Sequence, residues 1–423
     1  MIAIKNDILN GKFDKSFKLL YGDVEAAKIR YCNAVDNFEK IYGVRDNIRL
    51  FSAPGRTEVG GNHTDHQHGC VLAGSVDLDV IAVVAQDDDG LVRVKSEGYD
   101  EDLINLDELE PSEAEFGRAS ALIRGMCGEF KADGYKIGGF KAYTTSNVLK
   151  GSGLSSSAAF EVLIGNILSG LYNNNSVDPV EIAKIAQRSE NKYFGKPCGL
   201  MDQMASSVGG FTGIDFKDPE NPIIEKVSFD IKAHGHNLVI VNTGGNHADL
   251  TQDYADITIE CRAVSEFFGK KVLREVDTDL FYSSLAELRK AVGDRAVLRA
   301  IHFFNDNQRA IDEKVALKEG RFEDFLKISK NSGQSSFQFL QNVYSPSNAQ
   351  EQGLSLALAL ASKALEHRGA YRVHGGGFAG TIQAFVPDDL LKNYLDIMKS
   401  VFGEKSCYVL NIRPIGGTEI KEL

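Results

Sequence analysis

The sequence predicts a mixed α/β (α+β) chain folded as two domains, and three observations carry that expectation. The chain has 423 residues, too many for one ordinary hydrophobic core, and 43% of them are hydrophobic, enough for two. β-Branched and aromatic runs are interspersed with amphipathic stretches along its length. A turn-rich stretch around Gly209-Gly210 and Lys217-Asp-Pro-Glu-Asn-Pro222 interrupts the pattern near the middle, which places the domain division there, as 1–220 and 221–423.

The elements follow in order. Residues 1–45 read as helical and polar-rich, with Phe17, Leu20 and Val24 as apolar anchors. Val80 to Ala85 is a β-branched run. The turn Asp87-Asp-Asp-Gly90 and a second strand, Leu91 to Lys95, predict a hairpin. Phe140 to Thr145 alternates as a strand should. Leu154 to Tyr172 carries Leu163, Ile167 and Leu171 at four-residue spacing, with Val162, Ile164 and Leu168 widening the stripe, and reads as a helix. Val180 to Glu190 is a helix entered through Asp178-Pro179. Asn237 to Thr243 reads as a buried strand, and long helices follow around 250–269, 294–317 and 349–367. Strands around Tyr371–His374 and Gly380–Val386 flank a triple glycine.

Composition narrows the partners. A net charge of −12 and a pI near 5.3 disfavour nucleic acid and anionic membranes, and any phosphate site must be built locally against that field. No apolar run approaches the roughly 18 residues of a membrane span. Met1-Ile-Ala-Ile-Lys-Asn-Asp7 lacks the apolar core of a secretory signal. Six cysteines (Cys32, Cys70, Cys127, Cys198, Cys261 and Cys407) are scattered without CxxC spacing and read as reduced thiols. A cytoplasmic protein, monomeric or weakly homodimeric, is the expectation.

The most informative local feature is the junction Gly151-Ser-Gly-Leu-Ser-Ser-Ser157, followed by Ala158-Ala159, where a strand gives way to a helix. Unpaired N–H groups and the positive dipole end of a helix make an anion site. Glycine lets backbone approach a phosphate closely, and serine adds donors or a metal-binding hydroxyl. A Gly/Ser-rich cap before a helix is also common without any ligand. This is not a Walker A loop, since no Gly-Lys-Ser/Thr ends it.

Two further segments add to the junction. One is Ala53-Pro-Gly-Arg-Thr-Glu-Val-Gly-Gly-Asn-His-Thr-Asp-His-Gln-His-Gly69, and the other is Val373-His-Gly-Gly-Gly-Phe-Ala-Gly-Thr381. In this order and at these distances the three resemble the motifs of the GHMP small-molecule kinases. Within that superfamily the resemblance is to the galactokinases, supported by Glu190-Asn191, by Cys198-Gly-Leu-Met-Asp-Gln-Met204, by Arg299-Ala-Ile-His302 and by Asn307-Gln-Arg309. It spans about Ile48 to Val386. It implies an N-terminal domain of the ribosomal-S5-like type and a ferredoxin-like GHMP C-terminal domain, with the site between them.

The resemblance also implies roles. Asp202 matches the base that accepts the sugar hydroxyl's proton, and Arg56 the cation that keeps it ionised. Gly151, Ser152, Gly153, Leu154, Ser155, Ser156 and Ser157 match the nucleotide phosphate loop, and Ser157 with Glu190 the Mg²⁺ ligands. His63, Asp65, Gly199 and Tyr254 match sugar contacts. Gly375, Gly376 and Gly377, which by themselves read as a hairpin turn, would pack the second domain against the phosphate loop. Cofactors are then ATP and Mg²⁺. The activity that the resemblance implies is ATP-dependent phosphorylation of galactose at its anomeric hydroxyl, giving galactose 1-phosphate and ADP.

The sugar-facing segment departs from the family pattern Gly-Arg-Val-Asn-Leu-Ile-Gly-Glu-His-Thr-Asp-Tyr. Glu58 stands for its Asn, Asn62 for its Glu and His66 for its Tyr. After Tyr254 the family's Asn-x-Arg-Arg run is replaced by Ala255-Asp-Ile-Thr258. Asn62 removes an acid expected at the sugar's C6 hydroxyl, which admits a different C6 group, even the carboxylate of galacturonate; a 1-kinase for a related sugar such as galacturonate or N-acetylgalactosamine is the alternative activity. Glu58 and Asn62 also read as an exchange of acid and amide that preserves the C6 contact and galactose. Two rival readings remain: a non-catalytic sugar sensor, and a metal cluster of His63, Asp65, His66 and His68. His234, His236, His247, His302, His367 and His374 read as scattered histidines.

Overall fold

Among the described residues of the computed structural model (3–148, 153–196, 198–245 and 250–423), twelve strands build two sheets. They are β1 (Ile48–Gly60), β2 (Cys70–Gln86), β3 (Leu91–Ser96), β4 (Glu101–Asn105), β5 (Phe140–Ser146), β6 (Phe211–Asp215), β7 (Ile223–Val227), β8 (His236–Asn242), β9 (Ala370–His374), β10 (Thr381–Pro387), β11 (Cys407–Leu410) and β12 (Thr418–Glu419). The larger sheet runs β12-β1-β2-β5-β3-β4, with β6 and β7 continuing from β2; the smaller runs β11-β8-β10-β9.

β2 is long enough to serve two partners on one edge: its second half pairs β5 (Val80↔Ser146 to Gln86↔Phe140) and its first half pairs β6 (Cys70↔Asp215 to Gly74↔Phe211). β1 lies antiparallel along its other edge, with register shifts between Pro54 and Arg56 and between Glu58 and Gly60. Such irregularities re-aim side chains, and they bracket Arg56.

Helices cover both faces of the larger sheet. Val24–Tyr42 begins where Asp23 accepts from the Ala26 N–H at 3.0 Å and ends at Gly43. It buries Ala27, Tyr31, Ala34, Val35 and Phe38, which join Phe17, Leu50, Ile81 and Val83 in one cluster. The opposite face carries Ala119–Ala132, Ser156–Asn173, Pro179–Ser189 and Met201–Val208. Its core includes Phe51, Val84, Phe140, Val162 and Ile167, and continues into Leu238, Ile240 and Phe385 of the smaller sheet, so apolar packing crosses from one sheet to the other. The helices Gly353–Ala364 and Asp388–Phe402 bury their apolar faces on the smaller sheet. The long helix Asp294–Lys318 packs along β2 and against Thr251–Phe267.

The hairpin expected between Val80–Ala85 and Leu91–Lys95 does not form. The turn is there, but β5 lies between the two strands, antiparallel to β2 and parallel to β3, while β3 takes β4 as its antiparallel partner. Next-but-one strands are only about 10 Å apart, so a four-residue turn can serve either arrangement, and the long-range pairing with β5 decides between them. All six cysteines are free thiols. No helix among the described residues is long and apolar enough to cross a membrane.

A buried ionic cluster ties the C-terminal segment to this sheet. Asp79, on β2, accepts from Arg30 at 2.5 Å, from Tyr21 at 2.6 Å and from Arg413 at 3.1 Å, and also from Ser52. Removing one partner of a buried ionic group leaves the others uncompensated. Asp79→Ala is therefore expected to cost about 3–5 kcal/mol in urea unfolding; a loss under about 1 kcal/mol would remove this cluster from the forces holding the fold.

Candidate active site

β1 brings Arg56 beneath the start of the helix Ser156–Asn173. Gly55 allows the approach: a Cβ there would lie 2.9 Å from the Leu154 carbonyl oxygen. The Arg56 N–H donates to that carbonyl at 3.0 Å, and its guanidinium Nη1 donates to the Gly153 carbonyl. Nε of the same side chain donates to Asp202 Oδ1 at 2.7 Å. Ser155, at the N-cap of the helix in a left-handed conformation (φ 55), makes no capping bond; its hydroxyl donates to Asp202 Oδ2 at 2.5 Å. A non-glycine residue at positive φ is strained, and here the strain turns the hydroxyl toward the acid.

Asp202 lies in the first turn of Met201–Val208, and its side chain keeps 25% of its surface exposed, enough for a substrate to reach it. Burial pushes its carboxyl up, but the Arg56 charge, the hydrogen bonds from Arg56 and Ser155, and Lys196 outweigh that and hold it below the ordinary carboxylate range. The acid expected to accept a proton is thus kept ionised.

A second contact sits two residues along. Ser157 Oγ donates to Glu190 Oε1 at 3.1 Å, and the Lys196 ammonium lies 3.1 Å from the same oxygen. Gln203 donates to Glu190 Oε2 at 2.7 Å and to the buried Glu161 at 3.2 Å. Glu190 opens a π-helical turn, Glu190–Phe194, that follows Pro179–Ser189. Such turns widen a helix by one residue and cluster at functional sites. The pair fits a hard divalent cation: it offers oxygen donors, and Glu190 already faces a positive charge. Two protein ligands leave the remaining positions to phosphates and water, as Mg²⁺ prefers.

The sugar-facing segment splits into two sets. Asp65 keeps 31% of its side-chain surface and lies beside Gly199, where a Cβ would fall 2.8 Å from Asp65 Oδ2. His63 points its Nε2 at the Gly376 carbonyl at 2.8 Å, and burial holds it neutral, its pKa lowered to about 4. Tyr254 donates to the Gly377 carbonyl at 3.0 Å with its ring edge-on to Phe378. Glu58 and Asn62 lie deeper. Glu58 is 6% exposed and Asn62 fully buried, and Asn62 Nδ2 donates to Glu58 Oε1 at 2.7 Å. Burial pushes the Glu58 carboxyl up to about 7, against the pull of Arg372, Asn62 and Arg56.

The histidine-rich run does not gather as a metal cluster. His63 is bound to a carbonyl, its ring centroid is 6.2 Å from that of His66, and no group of three or more His, Cys, Asp or Glu among the described residues is placed to hold an ion. Two histidines expected to be incidental are instead buried and hydrogen-bonded between segments distant in the chain. His374 bridges Thr57 at 3.0 Å and Thr381 at 2.8 Å and packs under Gly153, while His302 meets the Asn62 carbonyl at 2.9 Å. Lys196 and Gln203 were not singled out from the sequence. Gln203 adjoins Asp202 in the quoted run, which is the signal that was available for it. Leu154 is fully buried and offers only backbone, Ser156 opens the helix, and Gly151, Ser152 and His247 lie outside the described residues.

Comparison with known proteins places the chain among its relatives. The family description "GHMP kinases N terminal domain" matches residues 121–210, and "Galactokinase galactose-binding signature" matches 36–86. The galactokinase of Actinobacillus pleuropneumoniae is 32% identical over 351 residues, covering 81% of this chain and 86% of that protein. The galactokinase of Glaesserella parasuis serovar 5 is 30% identical over 364 residues, covering 83% and 88%. The crystal structure of Lactococcus lactis galactokinase complexed with galactose superposes with a TM-score of 0.77 at 25% identity, over 93% of this chain and all of that one. Methanococcus jannaschii mevalonate kinase shares the fold, with a TM-score of 0.62 at 15% identity over 87% of this chain and 99% of its own. With the two-domain GHMP kinase fold and galactokinase relatives 30% or more identical over more than four-fifths of its length, this chain belongs to the galactokinase family of sugar kinases.

Proposed function

We propose that the protein transfers the γ-phosphoryl group of ATP to the anomeric hydroxyl of galactose, giving galactose 1-phosphate and ADP. The observation that carries this reading is the Asp202 carboxylate, held by Arg56 at 2.7 Å and Ser155 at 2.5 Å yet still open to substrate. In this reading residues 1–220 supply the phosphate loop, the base and the metal pair, and 221–423 supply the glycine turn and Tyr254.

His63, Asp65, Gly199 and Tyr254 orient the sugar with its anomeric oxygen toward Asp202. Asp202 accepts the hydroxyl proton as that oxygen bonds to the γ-phosphorus. The bond from phosphorus to the bridging β–γ oxygen breaks, and its electron pair leaves with ADP. Arg56 keeps the base ionised. The helix start at Ser155–Ser157, with the backbone of Gly153 and Leu154 and the preceding Gly151 and Ser152, cradles the phosphates. Ser157 and Glu190 would hold Mg²⁺, which neutralises phosphate charge when bound. Asp65 and Asp202 give the sugar side an acidic lining, which suits a neutral hexose better than a uronate.

Two outcomes test this. Wild-type protein with ATP and Mg²⁺ should release ADP with galactose well ahead of galacturonate, N-acetylgalactosamine, glucose or arabinose, and Asp202→Asn should lower kcat by about 10²–10⁴-fold. Binding of ATP and galactose without ADP release would sink the reading in favour of a sensor. Arg56→Met should remove the cation that overcomes burial, so that the acid limb of the kcat/KM–pH profile rises above the ordinary carboxylate value; an acid limb that stays where the wild type has it would separate Arg56 from the ionisation of the base.

A further inference from the structure

The turn Gly375–Gly377 offers three successive carbonyl oxygens, and a side chain from elsewhere in the chain takes each of them. Asn62 Nδ2 donates to Gly375 O at 2.8 Å, His63 Nε2 lies 2.8 Å from Gly376 O, and the Tyr254 hydroxyl donates to Gly377 O at 3.0 Å. Asn342 adds a bond to Gly376 O at 3.2 Å, and its own carbonyl accepts from Phe378 N–H at 2.5 Å. There is no slack in the turn. A Cβ on Gly376 would lie 2.6 Å from the Tyr254 ring, and one on Gly377, at φ +80, would lie 2.0 Å from the Asn342 carbonyl.

A carbonyl can only accept, so His63 must carry its proton on Nε2. That leaves Nδ1 as the ring's acceptor. Asn62, by contrast, has nothing left to offer a ligand. Its Nδ2 donates to both Gly375 O and Glu58 Oε1, its Oδ1 accepts from Asn342 at 2.8 Å and Ser336 at 3.3 Å, its N–H donates to Asp306 at 2.9 Å, and its carbonyl meets His302 at 2.9 Å.

We propose that Asn62, paired with Glu58, is a positioning residue: it clamps the glycine turn onto the sugar-facing segment, so that the next two carbonyls hold His63 in one tautomer and Tyr254 in one place. The proposal rests on the sugar-kinase reading. It accounts for the exchange of acid and amide between positions 58 and 62. A carboxylate at 62 can donate to neither Gly375 O nor Glu58, and would set two acids 2.7 Å apart in a buried site. With Asn at 58 and Glu at 62 a donor–acceptor pair returns at that contact, although Gly375 O loses its donor.

Wild type, Asn62→Ala, Asn62→Glu, Glu58→Asn and the double variant Glu58→Asn/Asn62→Glu decide it, through KM for galactose and for ATP, kcat, and the urea unfolding midpoint of ligand-free protein. Asn62→Ala should raise the galactose KM about tenfold, as for a lost set of buried hydrogen bonds, and leave the ATP KM within about twofold of wild type. Asn62→Glu should be worse, and the double variant should recover part of its loss in both galactose KM and unfolding midpoint. A galactose KM in Asn62→Ala within about twofold of wild type, or a double variant no better than Asn62→Glu, overturns the proposal. If wild type releases no ADP with galactose, the function reading fails by itself. The unfolding midpoints then decide the clamp: non-additivity between positions 58 and 62 supports it, and strict additivity overturns it.

Discussion

The site depends on one ion pair. Arg56 and Asp202 are 146 residues apart in sequence, and their contact at 2.7 Å joins the middle of β1 to the helix Met201–Val208. The guanidinium's other bond goes to the loop before the helix Ser156–Asn173 through the Gly153 carbonyl, and the carboxylate's other oxygen receives Ser155. Strand, loop and helix are thereby referenced to one another through a single planar group, which Lys, with a point charge, would not do. A partly buried pair of this kind contributes little net stability. What it contributes is placement, and an acid that stays charged in a protein whose net charge is already −12.

That charge problem is met by sorting carboxyl groups according to their surroundings. Asp202 and Asp65 are held below the ordinary range, Asp202 by Arg56 and Asp65 by His66 and His63, in both cases against the effect of burial. Glu58, Glu161 and Glu313 are pushed up by burial, Glu58 to about 7. Neighbouring acids with opposed environments take different protonation states and so different tasks. Those held low keep a quarter to a third of their side-chain surface open, and those pushed up are buried away from water. Glu313, with both oxygens unpartnered under Gly60, is the most extreme of the second kind.

Segments with strong periodicity were legible. The helix read from Leu154 to Tyr172 is Ser156–Asn173, the strand read from Phe140 to Thr145 is Phe140–Ser146, and the strand read from Asn237 to Thr243 is His236–Asn242. Local burial patterns suffice for such elements because their own residues carry the signal. The hairpin after Gln86 failed because strand pairing is a long-range property that a turn does not encode. The pairing of Ser157 with Glu190 and of Arg56 with Asp202 was legible only through resemblance. The π turns at Glu190–Phe194 and Ser336–Leu340, which carry Glu190 to Ser157 and Ser336 to Asn62, leave no periodic trace, since one extra residue in a helical turn resembles ordinary scatter.

By itself the sequence determined the elements, the presence of a helix start rich in glycine and serine, the family resemblance and the identities of the acid and the arginine. These follow from residue type and local order. The tertiary structure decided which polar groups are free to meet a ligand. Asn62 and His63 are neighbours in the chain, yet one is saturated by buried partners and the other keeps a ring nitrogen as acceptor; His374 and His302 look incidental in sequence and are wedged against Thr57 and Asn62 of the sugar-facing segment. Hydrogen-bond capacity is spent on whatever the fold brings within about 3 Å, and only the convergence of distant segments determines what that is.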